Sequence, residues 1–262
     1  MNDDMWSERM RRTLLIVISL VLVILLAIGG FLYYDHTSIK NEEANRQAFD
    51  FVMTEKMRQL SEQAQDRSKS VQIDIQDARL KGDYKTLSEF LLAYWVRNVD
   101  TRNAYLNQLA AAKWDQFLDV NRLDLDRKQN YAETTQMLST VRQAMQQYQQ
   151  NNTQNKQQAL QQLKQLDLRK DLKQPLLDKL QQNAKVDPEN ALILNELQIL
   201  AKAEKMFELL KTHEWKKQGN QILFKEDAQV KQFNQLYQDV LKLNSQINSK
   251  KEQNAEVLAD EL

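Results

Sequence analysis

The sequence contains no cysteine, two prolines, four glycines and two histidines in 262 residues. Without cysteine there are no disulfides, iron–sulfur clusters, thiolate zinc sites or cysteine nucleophile. So few prolines and glycines cannot supply the turns of a sandwich, a barrel or a doubly wound sheet. His36 and His213 are far apart, which leaves a multi-histidine metal site without ligands, and no His-Glu-x-x-His is present. Neither glycine-rich phosphate loop occurs, and no serine has a nearby histidine to activate it. An excess of one charge is also missing: 36 Lys+Arg balance 36 Asp+Glu. That balance gives no electrostatic reason to expect nucleic acid as a partner.

What is present begins with an apolar run. Residues 13–34 are 22 positions without a charge, and a membrane-spanning helix needs about 20. Tyr33 and Tyr34 close the run and Trp6 lies just outside its other end, the placement of aromatics at headgroup level. Arg9, Arg11 and Arg12 precede it closely, whereas the first basic residues after it are Lys40 and Arg46. This bias makes residues 1–12 a short cytoplasmic tail and sends the rest of the chain across the membrane. The alternative is a cleaved signal peptide, with Ala27 and Gly29 as the small residues of the cleavage site. The run continues past them through Phe31 and Leu32, so a retained anchor is the expected reading. The lack of cysteine agrees with a periplasmic or other oxidising location.

Beyond the apolar run the backbone breakers are Gly82, Pro175, Pro188 and Gly219. Met53, Met57, Leu60, Ala64, Val71 and Ala78 follow a 4-3-4-3 spacing, with Arg67 and Asp74 in the two empty slots. This predicts one helix over residues 36–81, ended by Gly82 and about 70 Å long at the helical rise. Thr86-Leu87-Ser88-Glu89 reads as a capping box that opens a second helix. Its stripe of Leu92, Trp95, Val99, Leu106, Leu109, Val120 and Leu123 continues more weakly through Tyr131, Met137, Leu138 and Val141. Two long helices joined by a short turn are antiparallel neighbours.

Residues 143–165 hold eleven glutamines and three asparagines. They read as a solvated helix with a joint at Asn151-Asn152-Thr153, rather than as a self-associating low-complexity segment. Pro175 suits a first helical position. Asp187-Pro188-Glu189 is a stronger start signal, for a helix reaching about Thr212. Around Gly219-Asn220 the chain reads equally as a loop or as a hairpin over residues 214–224, with a type II′ turn and Trp215 opposite Phe224. A last helix begins near Asp227 and frays after Lys250. The expected fold is all-α. A single transmembrane helix is followed by a first pair of long antiparallel helices within 35–150. C-terminal helices within 151–262 complete the bundle or form a second helical subdomain.

Candidate chemistry is sparse. Asp115, Asp119, Asp124 and Asp126 cluster, but Arg122 and Arg127 lie close enough to neutralise them, and a solvated helix face is the expected reading. Tyr84, Phe90, Tyr94, Trp95, Tyr105, Trp114 and Phe117 place seven of the twenty aromatics within 34 residues, with Arg97 and Arg102 among them. Aromatics and arginine dominate ligand pockets and partner patches. The same residues also build the thickest part of a core, which is the preferred reading here. If the chain has a binding patch, Tyr84, Phe90, Tyr94, Trp95, Arg97, Arg102, Tyr105 and Trp114 are its candidates.

These observations lead to a non-catalytic, membrane-anchored helical scaffold or interaction protein of the bacterial cell envelope, without cofactor or metal. Its expected partners are the bilayer, through residues 13–34, and another envelope protein or a second copy. In layout the chain also resembles the periplasmic four-helix-bundle domains of chemoreceptors: a short cytoplasmic tail, one span, then a long membrane-proximal helix. That resemblance implies a periplasmic sensor bundle that binds a small ligand and, with no second span after the last helix, signals through a separate partner. Deleting residues 13–34 is expected to shift the chain from the membrane to the soluble fraction on cell fractionation. Replacing Arg9, Arg11 and Arg12 by glutamate is expected to scramble the orientation, read by a C-terminal reporter that is active on one side of the membrane only.

Overall fold

The computed structural model describes the backbone of residues 40–185 and 188–260 and the side chains of residues 42–182 and 193–249. The expected tail and membrane helix, with Arg9, Arg11, Arg12, Tyr33 and Tyr34, lie outside the described residues, as do His36 and the Asp187 cap. Among the described residues no helix is long and apolar enough to cross a membrane. The fold there is mostly helical, with one two-stranded antiparallel sheet. In chain order the elements are α1 (Lys40–Gln63), α2 (Gly82–Ala111), a 3-10 turn (Trp114–Gln116), α3 (Val120–Arg127), α4 (Ala132–Gln165), α5 (Lys170–Lys185), α6 (Pro188–Thr212), β1 (Trp215–Gln218), β2 (Gln221–Phe224) and α7 (Asp227–Asp260).

Packing groups the chain into two units. Of the described residues, 40–104, 150–185 and 251–260 belong to the first, and 105–149 and 188–250 to the second. The grouping interleaves along the chain and does not follow a division at residue 150. Helices α2 and α4 each give one segment to each unit.

In the first unit α1 buries Phe49, Val52, Met53, Met57 and Leu60, the start of the stripe visible in the sequence. The continuous helix to residue 81 is not formed. Asp66 Oδ1 accepts from the Ser68 N–H (3.1 Å) and hydroxyl (2.6 Å), and the Gln63 side chain bonds the N–H (2.7 Å) and C=O (3.0 Å) of Gln72. Such side-chain bonds offer the backbone an alternative to the helical ladder. Residues 70–77 are extended instead: Val71 is buried and Ile73 and Ile75 half-buried, alternating with exposed Gln72, Asp74 and Gln76. Val71 is inside for a strand-like reason, and the Ala78 slot of the supposed heptad is exposed.

The extended segment carries the chain back to the start of α1. The Tyr84 ring is 5.4 Å from that of Phe49 and its hydroxyl donates to Glu42 (3.0 Å). One turn on, Ser88 Oγ lies 3.2 Å from Met53 Sδ, and at the far end Arg102 donates to the Ala64 carbonyl (3.1 Å). The contacts advance in the same direction along both helices, so α1 and α2 are parallel neighbours, not antiparallel ones. Gly82, at φ 54°, opens α2 rather than closing a helix before it. Thr86 lies inside that helix, its hydroxyl 3.5 Å from the Gly82 carbonyl, so the expected capping box is not formed.

The second half of α4 runs antiparallel to α2. Asn155 Nδ2 donates to Thr101 Oγ1 (3.1 Å), Arg97 to Gln162 (3.1 Å), and the Arg169 N–H to Asp83 (3.2 Å). The expected joint at Asn151-Asn152-Thr153 is continuous helix. Pro175 lies inside α5 rather than at its first position. Lys173 Nζ closes the end of α4 by donating to the carbonyls of Lys164 (2.8 Å) and Leu166 (2.7 Å).

In the second unit the long helix expected to run through Leu123 stops at Ala111. Lys113 turns it at φ 54°, and the side chain of Asp119 caps α3 by accepting from the Arg122 N–H (2.9 Å). Asn130 and Tyr131, at φ 57° and 58°, separate α3 from α4. Helices α4 and α6 are antiparallel: Tyr131 bonds the Leu210 carbonyl (2.8 Å), and Arg142 pairs with Glu204. Lys202 of α6 pairs with Asp239 of α7. Helix α6 starts at Pro188 and ends at Thr212, as its start signal implied. The hairpin forms with Trp215 opposite Phe224, and Gly219 has φ 58° while Asn220 does not, as a type II′ turn requires. Helix α7 continues to Asp260, past the point where fraying was expected. Because Gly82 needs its left-handed backbone and has open space around it, Gly82→Ala is expected to lower stability by about 1 kcal/mol in urea titration, and Gly82→Asn by less.

Candidate functional site

The aromatic-rich stretch is divided between two cores. Tyr84, Phe90, Tyr94 and Trp95 belong to that of the first unit, where Trp95 has no exposed surface. Tyr105 and Phe117 belong to that of the second, with Trp114 half-buried against it. Arg97 reaches Gln162, and Arg102, 2% exposed, donates to the Asn103 side chain and the Ala64 carbonyl. Phe90, Leu91 and Tyr94 leave a cleft of about 10 Å³ against Leu176, Lys179 and Leu180 of α5, room for about one water.

Two charged clusters hold the first unit. Arg169 pairs with Glu42, Asp83 and Asp171 and lies over the Tyr84 ring, joining the starts of α1 and α2 to the turn before α5. The Arg169 guanidinium holds the Glu42 carboxyl below its ordinary value, while burial, and then Glu42, push the Tyr84 hydroxyl up to about 12. At the end of the extended segment Arg79 binds Asp77 and Glu55 and lies 5.4 Å over the exposed Phe51 ring, and its hydrogen bonds hold the Asp77 carboxyl down to about 2.

In the second unit the acidic cluster is divided: Asp115 and Asp119 are exposed, as a solvated face implies, whereas Asp124 is half-buried and Asp126 is buried. Asp126, 2% exposed, accepts from the N–H groups of Glu133 (2.9 Å) and Thr134 (2.8 Å) and from the Thr134 hydroxyl (2.6 Å). It caps α4 from the preceding helix, at the positive end of the helix dipole. Arg122 bridges the Thr134 hydroxyl and the carbonyls of Gln116 and Phe117. Asp124 pairs with Arg127, whose guanidinium stacks 4.5 Å over Trp215. The Trp215 indole N–H donates to the Tyr131 hydroxyl (2.7 Å), so the hairpin is seated on the α3–α4 joint. Tyr105, buried against Tyr148, donates to Glu196 (2.6 Å), and burial, then Glu196, raise its pKa well above the ordinary tyrosine value. Among the described residues no group of three His, Cys, Asp or Glu is arranged to hold a metal.

Comparison of the chain with protein-family models, with curated proteins and with solved structures finds no match in any of the three. Sequence reading missed Arg169, the Asp126 cap and the Gln63 clamp. Asp119 three residues before Arg122, and Asn130 before a fresh helical stretch, were the signals available for the α3 boundaries.

Two outcomes follow from these contacts. Trp215→Ala is expected to destabilise the second unit by about 3–5 kcal/mol in urea titration, because it empties a packed aromatic site. A carboxylate depressed in the folded state contributes stability above its unfolded value, near 4, and that contribution is lost as pH falls through the folded value. The urea midpoint is therefore expected to fall between about pH 5 and pH 2. Arg79→Ala, which releases Asp77, lowers the midpoint at pH 7 and flattens that fall.

Proposed function

We propose that the chain is a membrane-anchored helical scaffold or interaction protein of the bacterial cell envelope that acts by binding rather than by catalysis. The observation that carries this reading is the placement of the aromatic-rich stretch. The side chains with the largest apolar area are used to pack two helical cores, and the cleft beside Phe90 and Tyr94 has room for about one water rather than for a metabolite. A scaffold needs stiff helical units joined to an anchor, and packed aromatic cores supply that stiffness. Residues 13–34 supply the apolar length for that anchor, and Arg9, Arg11 and Arg12 the orienting charge.

The test is cross-linking in intact cells, followed by purification of the full chain in mild detergent. A specific protein recovered in fixed ratio with the chain, or a defined oligomer, is the expected result. A chain that stays monomeric and captures nothing, while its melting temperature rises with a small metabolite, would favour the sensor reading instead.

A further inference from the structure

Helices α6 and α7 are joined by residues 213–226, and the β1–β2 hairpin fills most of that connection. A join between packed helices commonly takes about 2–8 residues, so the hairpin is more chain than the join requires. It is also held firmly on α3. The Arg127 guanidinium stacks over the Trp215 ring and donates to the Trp215 carbonyl, the Trp215 indole reaches Tyr131, and Lys217 Nζ donates to Asn121 Oδ1. Trp215 and Phe224 are buried, whereas Lys216, Lys217 and Gln218 of β1 are exposed. Beside them α3 presents Asn121, Leu125 and Lys128, spaced four and three apart and so on one helical face. Leu125 is 61% exposed, in a helix whose Val120 and Leu123 are buried. Lys128 and Lys216 have no carboxylate partner among the described residues, and Lys217 reaches an amide. The neighbouring acids are already used: Asp124 pairs with Arg127, and Glu214 pairs with Lys225 at the far end of the hairpin. In a chain of balanced charge, this surface is left positive.

We propose that the hairpin and the adjoining face of α3 form a cationic docking surface for an acidic segment of a partner protein, with an apolar side chain of that segment covering Leu125. The inference deepens the reading of the chain as a binding protein and rests on it. Charge selects the occupant: Lys128, Lys216 and Lys217 complement carboxylates, and a basic partner would be repelled. Rigidity favours the site. The Trp215 seat fixes the hairpin before binding, so little order has to be imposed when a partner arrives. A segment carried by a rigid scaffold beyond what the connection needs is also a common place for recognition. A lipid surface fits less well. A helix that lies in a bilayer interface buries a whole apolar face, and α3 has committed Val120 and Leu123 to the core, which leaves Leu125 alone.

The experiment is fluorescence anisotropy of a short labelled peptide of glutamate and leucine, titrated with the full chain in mild detergent. Binding is expected at low salt and weakens about tenfold at physiological ionic strength. Lys216→Glu is expected to weaken it about three- to tenfold, and Lys128→Glu by a similar factor. Leu125→Ala weakens it about two- to threefold. Lys81→Glu, the same change of charge at an exposed position of the first unit, changes it less than about twofold. An unchanged Trp215 emission and urea midpoint in Lys216→Glu show that the hairpin is still seated. Peptide binding lost in Lys216→Glu and kept in Lys81→Glu supports the surface. No binding, or an equal loss in Lys81→Glu, overturns it. Binding to phosphatidylglycerol vesicles and not to the peptide overturns the protein partner. A protein cross-linked to the chain in cells with a yield that Lys216→Glu leaves unchanged overturns this surface, while the reading of the chain as a binding protein stands.

Discussion

The first unit depends on the chain leaving its helix at Gln63. Had α1 continued, α2 would have to turn back against it from a distant end. The Asp66–Ser68 turn and the Gln63–Gln72 clamp stop the helix, and the extended segment then retraces its length. The outcome is that α2 starts where α1 starts. The pairs Tyr84–Glu42, Ser88–Met53 and Arg102–Ala64 all follow from that return. Val71 and Leu80 of the connecting segment are buried in the same core as the helices. The connection is therefore part of the packing, and shortening it would remove both the parallel arrangement and part of the core.

The second unit obeys a different local constraint. Its helix breaks are made by Lys113, Asn130 and Tyr131, residues with side chains held in left-handed backbone. Such a conformation costs on the order of 1 kcal/mol or more and persists where surrounding contacts compensate it. At Tyr131 those contacts are its N–H to the Asp126 carbonyl (2.9 Å), its hydroxyl to Leu210 and to the Trp215 indole, and an edge-on ring contact with Phe207. The Asp126 carboxylate then supplies the cap that lets α4 begin directly afterwards. An isolated two-stranded hairpin is marginal in water, and here Trp215 seats it on the same joint that the strained residue creates.

Much of the local structure was legible in the sequence. The helical class and the Pro188 start were each carried by one local signal, the hairpin with Trp215 opposite Phe224 was one of two equal readings of a turn dipeptide, and the glutamine-rich stretch was read as helix but with a joint that does not form. The misread positions share a cause. The 4-3-4-3 spacing from Met53 to Ala78 fits a helix up to Leu60, and after Gln63 it overlaps by accident with a strand in which Val71, Ile73 and Ile75 alternate. Searching for breaks at glycine and proline alone passed over Lys113, Asn130 and Tyr131. For the candidate site, the clustering of aromatics was visible, but their division between two cores was not. Clustering in sequence does not say which packed unit a residue joins.

The sequence by itself determined the mainly helical composition, the aromatic-rich stretch and the absence of residue sets for thiol, multi-histidine or phosphate-loop chemistry, and it offered the hairpin register as one of two equal readings. Those properties depend on residue identity and on neighbours within a turn or two. The tertiary structure decided that α1 and α2 are parallel, that Asp126 is a buried cap rather than a solvated acid, and that the segment after Gln63 leaves the helix and is tied to Gln63 and Asp100. Each of those depends on hydrogen bonds whose partners are chosen by the folded path of the chain: Gln63 with Gln72, Asp126 with Thr134, Val71 with Asp100. Periodicity reports which side of an element is apolar. It carries no information about where a polar side chain finds its partner, and in this protein those partners set the direction of the helices.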